Sequence, residues 1–387
     1  MKIWVFSSLF PPAGGGLERI AFNIALEQSK AGHVVIAFTS DLGNKKSSTK
    51  VINQNFTHIK LPSFASPLGG PFPHRFLFEC YHFAKKYGRP NIIHIHYPIG
   101  GFPEAGAILS LLMRIPLVFN IHLEVVGTTW RKYLLPIHYL TIFRFLLKQS
   151  SYILSANIET IRRVFYLSKY SKQSVKIIPN GINQDIFYPG RNNETSRIIN
   201  KEIRRIVFIG RLNIQKRIDR LLVALKQIRD SNKDFKIHLD IFGDGEEREK
   251  LKDLCSKCKI NNIVAFHGQV SHEQIGEILR NGDYWYSILP SDFECFPLSV
   301  IESMRCGVPV LSSKIVQLKK AFGDNIGYFR IKREEMAIDI MKYLNNPDIR
   351  ENLRSKSLKY SENLSWEKIS HQIIELYGYV ITPNNHF

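Results

Sequence analysis

Cysteine is scarce in this sequence and uncharged apolar runs are short, and each shortage excludes something. The 387 residues contain five cysteines, an odd number with no framework spacing, so a disulfide scaffold is excluded and a reducing compartment is expected. Cys255 and Cys258 form a lone CxxC. Without a second pair or a histidine at finger spacing, they read as two helix-borne thiols rather than zinc ligands or a redox dithiol. No stretch of 18 apolar residues is free of charge, which argues against a spanning helix. The opening apolar run is broken at once by Pro11, Pro12 and Gly14 to Gly16, where a signal peptide needs a longer apolar segment; a first strand and a cytoplasmic chain are expected. Neither GxxxxGK[ST] nor GxGxxG occurs in proper form, which argues against an ATP-driven enzyme or a dehydrogenase. Low-complexity tracts and repeats at solenoid periods are also missing.

Acidic residues are short in one half only. Residues 1–180 carry 21 Lys and Arg against 7 Asp and Glu, the remainder 32 against 27, so the first half holds most of the formal charge of +19. A basic half-chain calls for an anionic partner: nucleic acid, an acidic membrane surface or a phosphorylated acceptor. Residues 130–148, WRKYLLPIHYLTIFRFLLK, mix bulky apolar side chains with Arg131, Lys132, Arg144 and Lys148. That suits a membrane interface and equally a core helix with a basic wet face. Nucleic-acid binding rests on charge alone, because no recognised binding motif is present and the basic residues are scattered.

Length and a hydrophobic content of 44% suffice for two core-bearing domains. Lys2–Phe6 reads as a buried strand. A Gly-rich loop follows, then a helix in which Leu17, Ile20, Ala21, Ile24 and Ala25 keep helical spacing until Gly32. Val34–Thr39, Ile92–His96, Leu117–His122 and Tyr152–Ser155 continue a doubly wound α/β unit. Residues 178–189, IPNGINQDIFYP, mark a domain boundary. A second series then sets strands Ile206–Gly210, Lys236–Phe242, Ile263–His267, Tyr284–Leu289 and Val308–Ser312 between helices Ile218–Arg229, Glu246–Cys258 and His272–Arg280. Ser365 caps a last helix with Trp366, Ile369, Ile373 and Tyr377 on one side.

The segment 291–310, SDFECFPLSVIESMRCGVPV, carries the most chemistry. Glu294 falls in a loop, Pro297 suits the first helical position, and Glu302 lies about one and a half turns inside that helix. The free N–H groups and positive end of such a helix favour phosphate, while a carboxylate on either side accepts hydrogen bonds from sugar hydroxyls. A diphosphate flanked by sugars is a nucleotide sugar. After strand Ile206–Gly210, Arg211 offers a planar fork and Lys216 a mobile point charge, a pair suited to two phosphates of a leaving group. At Gly14, Gly15 and Gly16 no Cβ intrudes, so backbone can approach a ligand.

The frame of this acidic pair, two Glu separated by seven residues and followed by Ser-Met-x-x-Gly-x-Pro-Val, resembles that of the retaining family-4 glycosyltransferases of GT-B fold, also called glycosyl transferases group 1. The resemblance is strongest over residues 180–312 and weak over 33–115. It implies an α/β GT-B architecture, two doubly wound Rossmann-like domains facing a cleft. Residues 1–185 would bind acceptor, 186–364 the nucleotide sugar, and 365–387 would form a helix returning to the first domain. The implied enzyme is a retaining, metal-independent hexosyltransferase that moves a sugar from a nucleoside-diphosphate sugar to a hydroxyl of a lipid-linked or saccharide acceptor, in bacterial surface polysaccharide or lipopolysaccharide assembly. It would need no cofactor, bind no nucleic acid and work as a peripheral protein on an anionic membrane surface, the inner face of the plasma membrane. The alternative enzyme is a nucleotide-sugar epimerase of the same fold.

The same resemblance assigns His122 and Glu294 to the transferred sugar, Arg211 and Lys216 to the leaving diphosphate, and Glu302 to the ribose. Gly15, Gly16, Gly243, Gly268, Phe296, Pro297 and Leu298 complete the expected donor site. No Asp-x-Asp metal motif lies near it, so Arg211, Lys216 and a helix dipole are expected to neutralise the leaving diphosphate. His94 and His96 share one face of a strand with Glu104 and Glu124 nearby in sequence, and read as structural groups rather than metal ligands. Ser313–Phe322 departs from the family, which commonly has Gly-Gly-x-x-Glu there.

Overall fold

The computed structural model describes residues 1–11, 15–42, 46–65, 70–97, 101–123, 133–172, 174–190 and 202–382. They form two compact units, Met1–Gly181 with Trp366–Phe387, and Ile182–Ser365.

The sheet of the first unit contains β1 (Lys2–Phe6), β2 (Val34–Leu42), β3 (Ser48–Asn53), β4 (Phe56–Ala65), β5 (Pro71–Phe72), β6 (Ile92–Tyr97), β7 (Leu117–Ile121), β8 (Tyr152–Ser155) and β9 (Val175–Ile177). Their order is β3-β4-β2-β1-β6-β7-β8-β9, with β5 on β4. β3 and β5 pair antiparallel with β4, and the remaining pairings are parallel. The central strands are buried along their length, as parallel strands covered on both faces must be. β3 to β5 give no strong sequence signal: Ser48–Asn53 is an exposed polar edge, and β4 carries Pro62.

The basic segment that reads two ways is described over residues 133–148, where Tyr133, Ile137 and Leu140 are exposed. Helical turns over Leu135–Gln149, one of them π-helical, bury Tyr139, Phe143, Leu146 and Leu147 in the core. The core reading holds for that face. The helix Trp366–Ile381 completes the unit by packing on Gly16–Lys30, where Gln28 Nε2 donates to Tyr377 Oη at 3.1 Å. Gly181 sits so tightly under Trp366 that a Cβ would lie 2.5 Å from the indole.

The second unit stacks β10 (Arg204–Ile209), β11 (Ile237–Phe242), β12 (Val264–Gly268), β13 (Tyr286–Leu289), β14 (Val310–Ser313) and β15 (Gly327–Phe329). The order β12-β11-β10-β13-β14-β15 is parallel throughout. Strand order reverses between β10 and β13, and this is the point where ligands collect at the carboxyl ends of an open α/β sheet. In the first unit the corresponding point lies between β1 and β6. Helices Val316–Phe322, Arg333–Leu344 and Pro347–Ser361 close one end of the second unit. Arg350 is buried among them and donates to the carbonyls of Tyr284 and Trp285.

Candidate functional site

In the second unit the loops after four strands are tied together at the carboxyl edge. Gly210 N donates to Phe242 O at 3.0 Å, Leu212 N to Asp244 O at 2.9 Å and Gly243 N to Gly268 O at 2.7 Å. Gly243 has φ +134°, and a Cβ there would meet Gly210 O at 1.9 Å, so only glycine lets this seam close. Across the strand reversal, Asp292 N donates to Gln215 O at 3.0 Å and Gln215 Nε2 to Phe293 O at 2.6 Å.

These bonds set the loop after β10 against the loop after β13, and the outcome is an ion pair. Lys216 Nζ lies 2.5 Å from Glu294 Oε1, with side chains only 16% and 9% exposed. Attraction in so little water is strong, and each charge depends on the other for its solvation. Arg217 and Arg220 hold Asp292 on the outside of the same loop. Arg211, by contrast, is 74% exposed and reaches Glu246 at 3.8 Å. It stands at the rim, turned toward Glu246.

Pro297 corrects the expectation that it opens the helix. With ψ 130° it is extended and caps the helix, which starts at Leu298 and ends at Arg305. Proline has no N–H to leave unpaired, so the first donors at this end belong to Leu298 and Ser299, while Val300 N donates to Pro297 O at 3.2 Å. Phe296 is buried and packs on Phe322 at 4.7 Å between ring centroids, so its side chain is committed to the core. Gly268, at φ +77°, has the Arg248 guanidinium 3.6 Å from where a Cβ would be. Arg248 in turn holds Asp244 at 2.8 Å.

Glu302 is buried, and one of its oxygens accepts a hydrogen bond from His272 Nε2 at 2.7 Å. His272 belongs to no motif that the sequence displays. A signal was present: Ser271 and Gln274 form a capping box that starts the helix His272–Asn281 directly beyond β12, at the edge where ligands bind. Phe187 packs edge-on against the His272 ring at 4.7 Å.

In the first unit Gly15 caps the helix Gly16–Lys30, and the Glu18 carboxylate accepts from Gly15 N at 2.7 Å; Gly14 lies outside the described residues. His122 follows β7 and is 4% exposed. Its Nε2 is 2.9 Å from His96 Nδ1, the two rings lying nearly parallel. The His96 ring lies tilted against that of His94, with centroids 4.1 Å apart, and His94 Nδ1 meets Tyr377 Oη at 2.6 Å. His94 and His96 therefore belong to a buried chain running from the C-terminal helix to His122. Burial pushes the His94 imidazole down to about 3 and that of His122 to about 4, and holds His96 well below the usual range, so all three are neutral at pH 7.

Burial also raises the Glu104 carboxyl to about 7, against the opposing pull of backbone hydrogen bonds. Among the described residues no group of three or more His, Cys, Asp or Glu is placed to hold a metal ion, and Glu124 lies outside them. Burial raises the Cys255 thiol to about 12, which makes it a poor nucleophile.

Residues 14–186 match the family model described as Glycosyltransferase Family 4, and residues 191–360 match Glycosyl transferases group 1. The chain belongs to the family-4 glycosyltransferases of GT-B fold, and glycosyl transfer is its class of activity. It is 24% identical over 401 residues to an uncharacterised glycosyltransferase of Methanocaldococcus jannaschii, covering 97% of this chain and 98% of that one. Over 412 residues it is 23% identical to the alpha-monoglucosyldiacylglycerol synthase of Streptococcus pneumoniae, with 100% and 87% covered. Among solved structures, Anabaena HepE in complex with UDP and glucose shares the fold at a TM-score of 0.73 and 18% identity, over 98% of this chain and 100% of that one. The epimerase alternative is not favoured. No described helix is long and apolar enough to cross a membrane.

Proposed function

We propose that the protein is a retaining, metal-independent transferase that moves a sugar from a nucleoside-diphosphate sugar to a hydroxyl of a lipid-linked acceptor, in the assembly of a bacterial surface polysaccharide or lipopolysaccharide. The observation that carries this reading is the Lys216–Glu294 pair at the strand reversal of the second sheet. A donor entering there exchanges partners with the pair: the ammonium turns to the diphosphate, and the carboxylate is left to accept hydrogen bonds from sugar hydroxyls.

Glu302 takes the ribose. His272 occupies one carboxylate oxygen, so the ribose hydroxyls meet the other. The acceptor attacks the face from which the leaving group departs, and the departing phosphate takes the acceptor's proton. Charge grows on the leaving diphosphate as that bond breaks, and Lys216, Arg211 and the free N–H groups at Leu298 counter it without a metal ion. His122 serves the transferred sugar. As a neutral imidazole it offers hydrogen bonds rather than charge, which suits hydroxyl groups. A lipid-linked acceptor is supported by the basic excess of the first half of the chain and by the likeness to a glycolipid synthase.

The test is thermal unfolding against a panel of UDP, GDP and ADP sugars, since a ligand that binds only the folded state raises its stability. At least one sugar nucleotide is expected to raise Tm, EDTA is expected to leave transfer intact, and the product anomer is expected to match the donor. No stabilisation by any donor overturns the reading. Conversion of donor to an isomer without acceptor reinstates the epimerase.

A further inference from the structure

The helix Phe76–Tyr87 is apolar on two opposite faces. One face, with Phe76, Cys80 and Phe83, lies in the core of the first unit. The other presents Leu77, Phe78 and Tyr81, exposed by 47%, 63% and 62%, and their spacing puts them on one stripe with Lys85 a turn further on. A surface helix ordinarily turns polar residues outward. Phe64, 50% exposed, extends the patch through its ring contact with His74, one residue before Arg75. Adjoining large apolar side chains of this kind mark a surface that meets a partner.

The charges beside the patch identify the partner. Arg75 lies over the Phe78 ring at 5.4 Å and Lys85 over Tyr81 at 4.7 Å, and Lys86 and Arg89 are exposed next to them. Glu79 is the only carboxylate on the helix, and it is half-buried. We propose that this face docks the first unit onto an anionic lipid bilayer, with Leu77, Phe78 and Tyr81 entering the interfacial layer and Arg75, Lys85 and Lys86 meeting lipid phosphates. The proposal rests on the lipid-linked acceptor argued above and names the surface that brings the enzyme to it.

A bilayer fits better than a second copy of the chain. A two-fold contact through this face would set one cationic rim against its own duplicate, with no exposed carboxylate on the helix to neutralise it. A bilayer instead supplies acidic headgroups to the rim and an apolar layer to the aromatic stripe, and the long basic side chains can bury their stems while their charges stay wet. Twelve residues of helix are enough to lie in the interface and too few to span it.

The experiment is flotation of the full chain with phosphatidylcholine vesicles, with and without phosphatidylglycerol, at low and high salt. Binding is expected to be about tenfold or more stronger on the anionic vesicles at low salt, and to fall as salt rises. The double variant Phe78→Ser with Tyr81→Ser is expected to lose about tenfold in that binding, and Lys85→Glu with Lys86→Glu to lose the preference for anionic lipid. All four side chains are exposed, so both variants should fold, and stabilisation by a sugar nucleotide checks this independently. Wild-type protein that ignores anionic vesicles overturns the proposal, as do variants that bind like wild type. A dimer abolished by the serine pair overturns it in favour of self-association. If vesicle binding behaves as expected but no sugar nucleotide stabilises the protein, the functional reading fails and the docking surface stands.

Discussion

The two units have the same strand order through their sheet centres and opposite electrostatics at the strand reversal. In the first, the histidines beside that point are uncharged: His94, His96 and His122 are buried, and burial keeps them neutral. In the second the polar groups are paired, Lys216 with Glu294 as an ion pair and Glu302 with His272 through a hydrogen bond. Topology thus chooses the place and side chains choose the ligand. In the proposed function the neutral cluster meets hydroxyls, and the paired one releases its partners to phosphate and sugar.

The sharpest way to break this comparison is to remove one charge from the second unit. Lys216→Ala is expected to cost about a thousandfold in kcat, because it deletes the cation proposed to face the leaving diphosphate. It should also cost about 3 kcal/mol of stability, because Glu294 is left buried and unpaired. Steady-state transfer assays and denaturant unfolding check both; activity within tenfold of wild type would contradict the assignment.

Acid should separate the two units next. His58, His122 and His138 are lowered to about 4 and His94 to about 3, chiefly by burial, and all belong to the first unit. The folded unit therefore binds fewer protons than the unfolded chain once pH falls below 6.5. The stability these groups contribute is complete above that value and is lost as pH drops toward 4, at about 1.4 kcal/mol per pKa unit for each group. Glu104, raised to about 7, acts in the opposite direction, but it is one group against several. In the second unit Asp240 is held well below the carboxylate range by hydrogen bonds from His238, His267 and Arg205 that outweigh its burial, so its contribution survives until stronger acid. Hydrogen exchange at pH 7 and pH 4.5 should show the first unit opening alone, and simultaneous opening would refute the contrast.

Smaller effects sharpen the division of labour. His122→Asn is expected to lower kcat about a hundredfold with donor affinity unchanged. His272→Phe, which frees the Glu302 carboxylate to turn, is expected to raise the donor KM about tenfold with kcat little altered. Kinetics with donor varied at saturating acceptor distinguish these outcomes, and the reverse split would exchange the roles given to the two units.

Much of this was legible in the sequence because it is local. β1, β8 and the helix starting at Trp366 follow from apolar periodicity, and the loop–helix–strand run from Glu294 to Val310 follows from Pro297, Gly307 and the acidic spacing. What could not be read is held by distance. Tyr377 meets His94 across 283 positions and Lys216 meets Glu294 across 78, and no pattern within a window announces either pair. β3 was hidden for another reason: an exposed polar edge strand buries too little to leave an apolar signature. The membrane reading likewise began on residues 130–148, whose described part exposes Tyr133, Ile137 and Leu140, whereas the exposed apolar stripe on Phe76–Tyr87 was not read from the sequence.

The bond between Gln28 and Tyr377 spans 349 positions, and this sets an order of events at the ribosome. Nearly the whole chain must be synthesised before the helix Trp366–Ile381 can cover the helix Gly16–Lys30, so the first unit to begin emerging is the last to be finished. Residues 182–365 can reach their final structure while the opening half still waits for its closing element. A released chain that stops at Ser365 should therefore resist protease in its later half and yield in its earlier one.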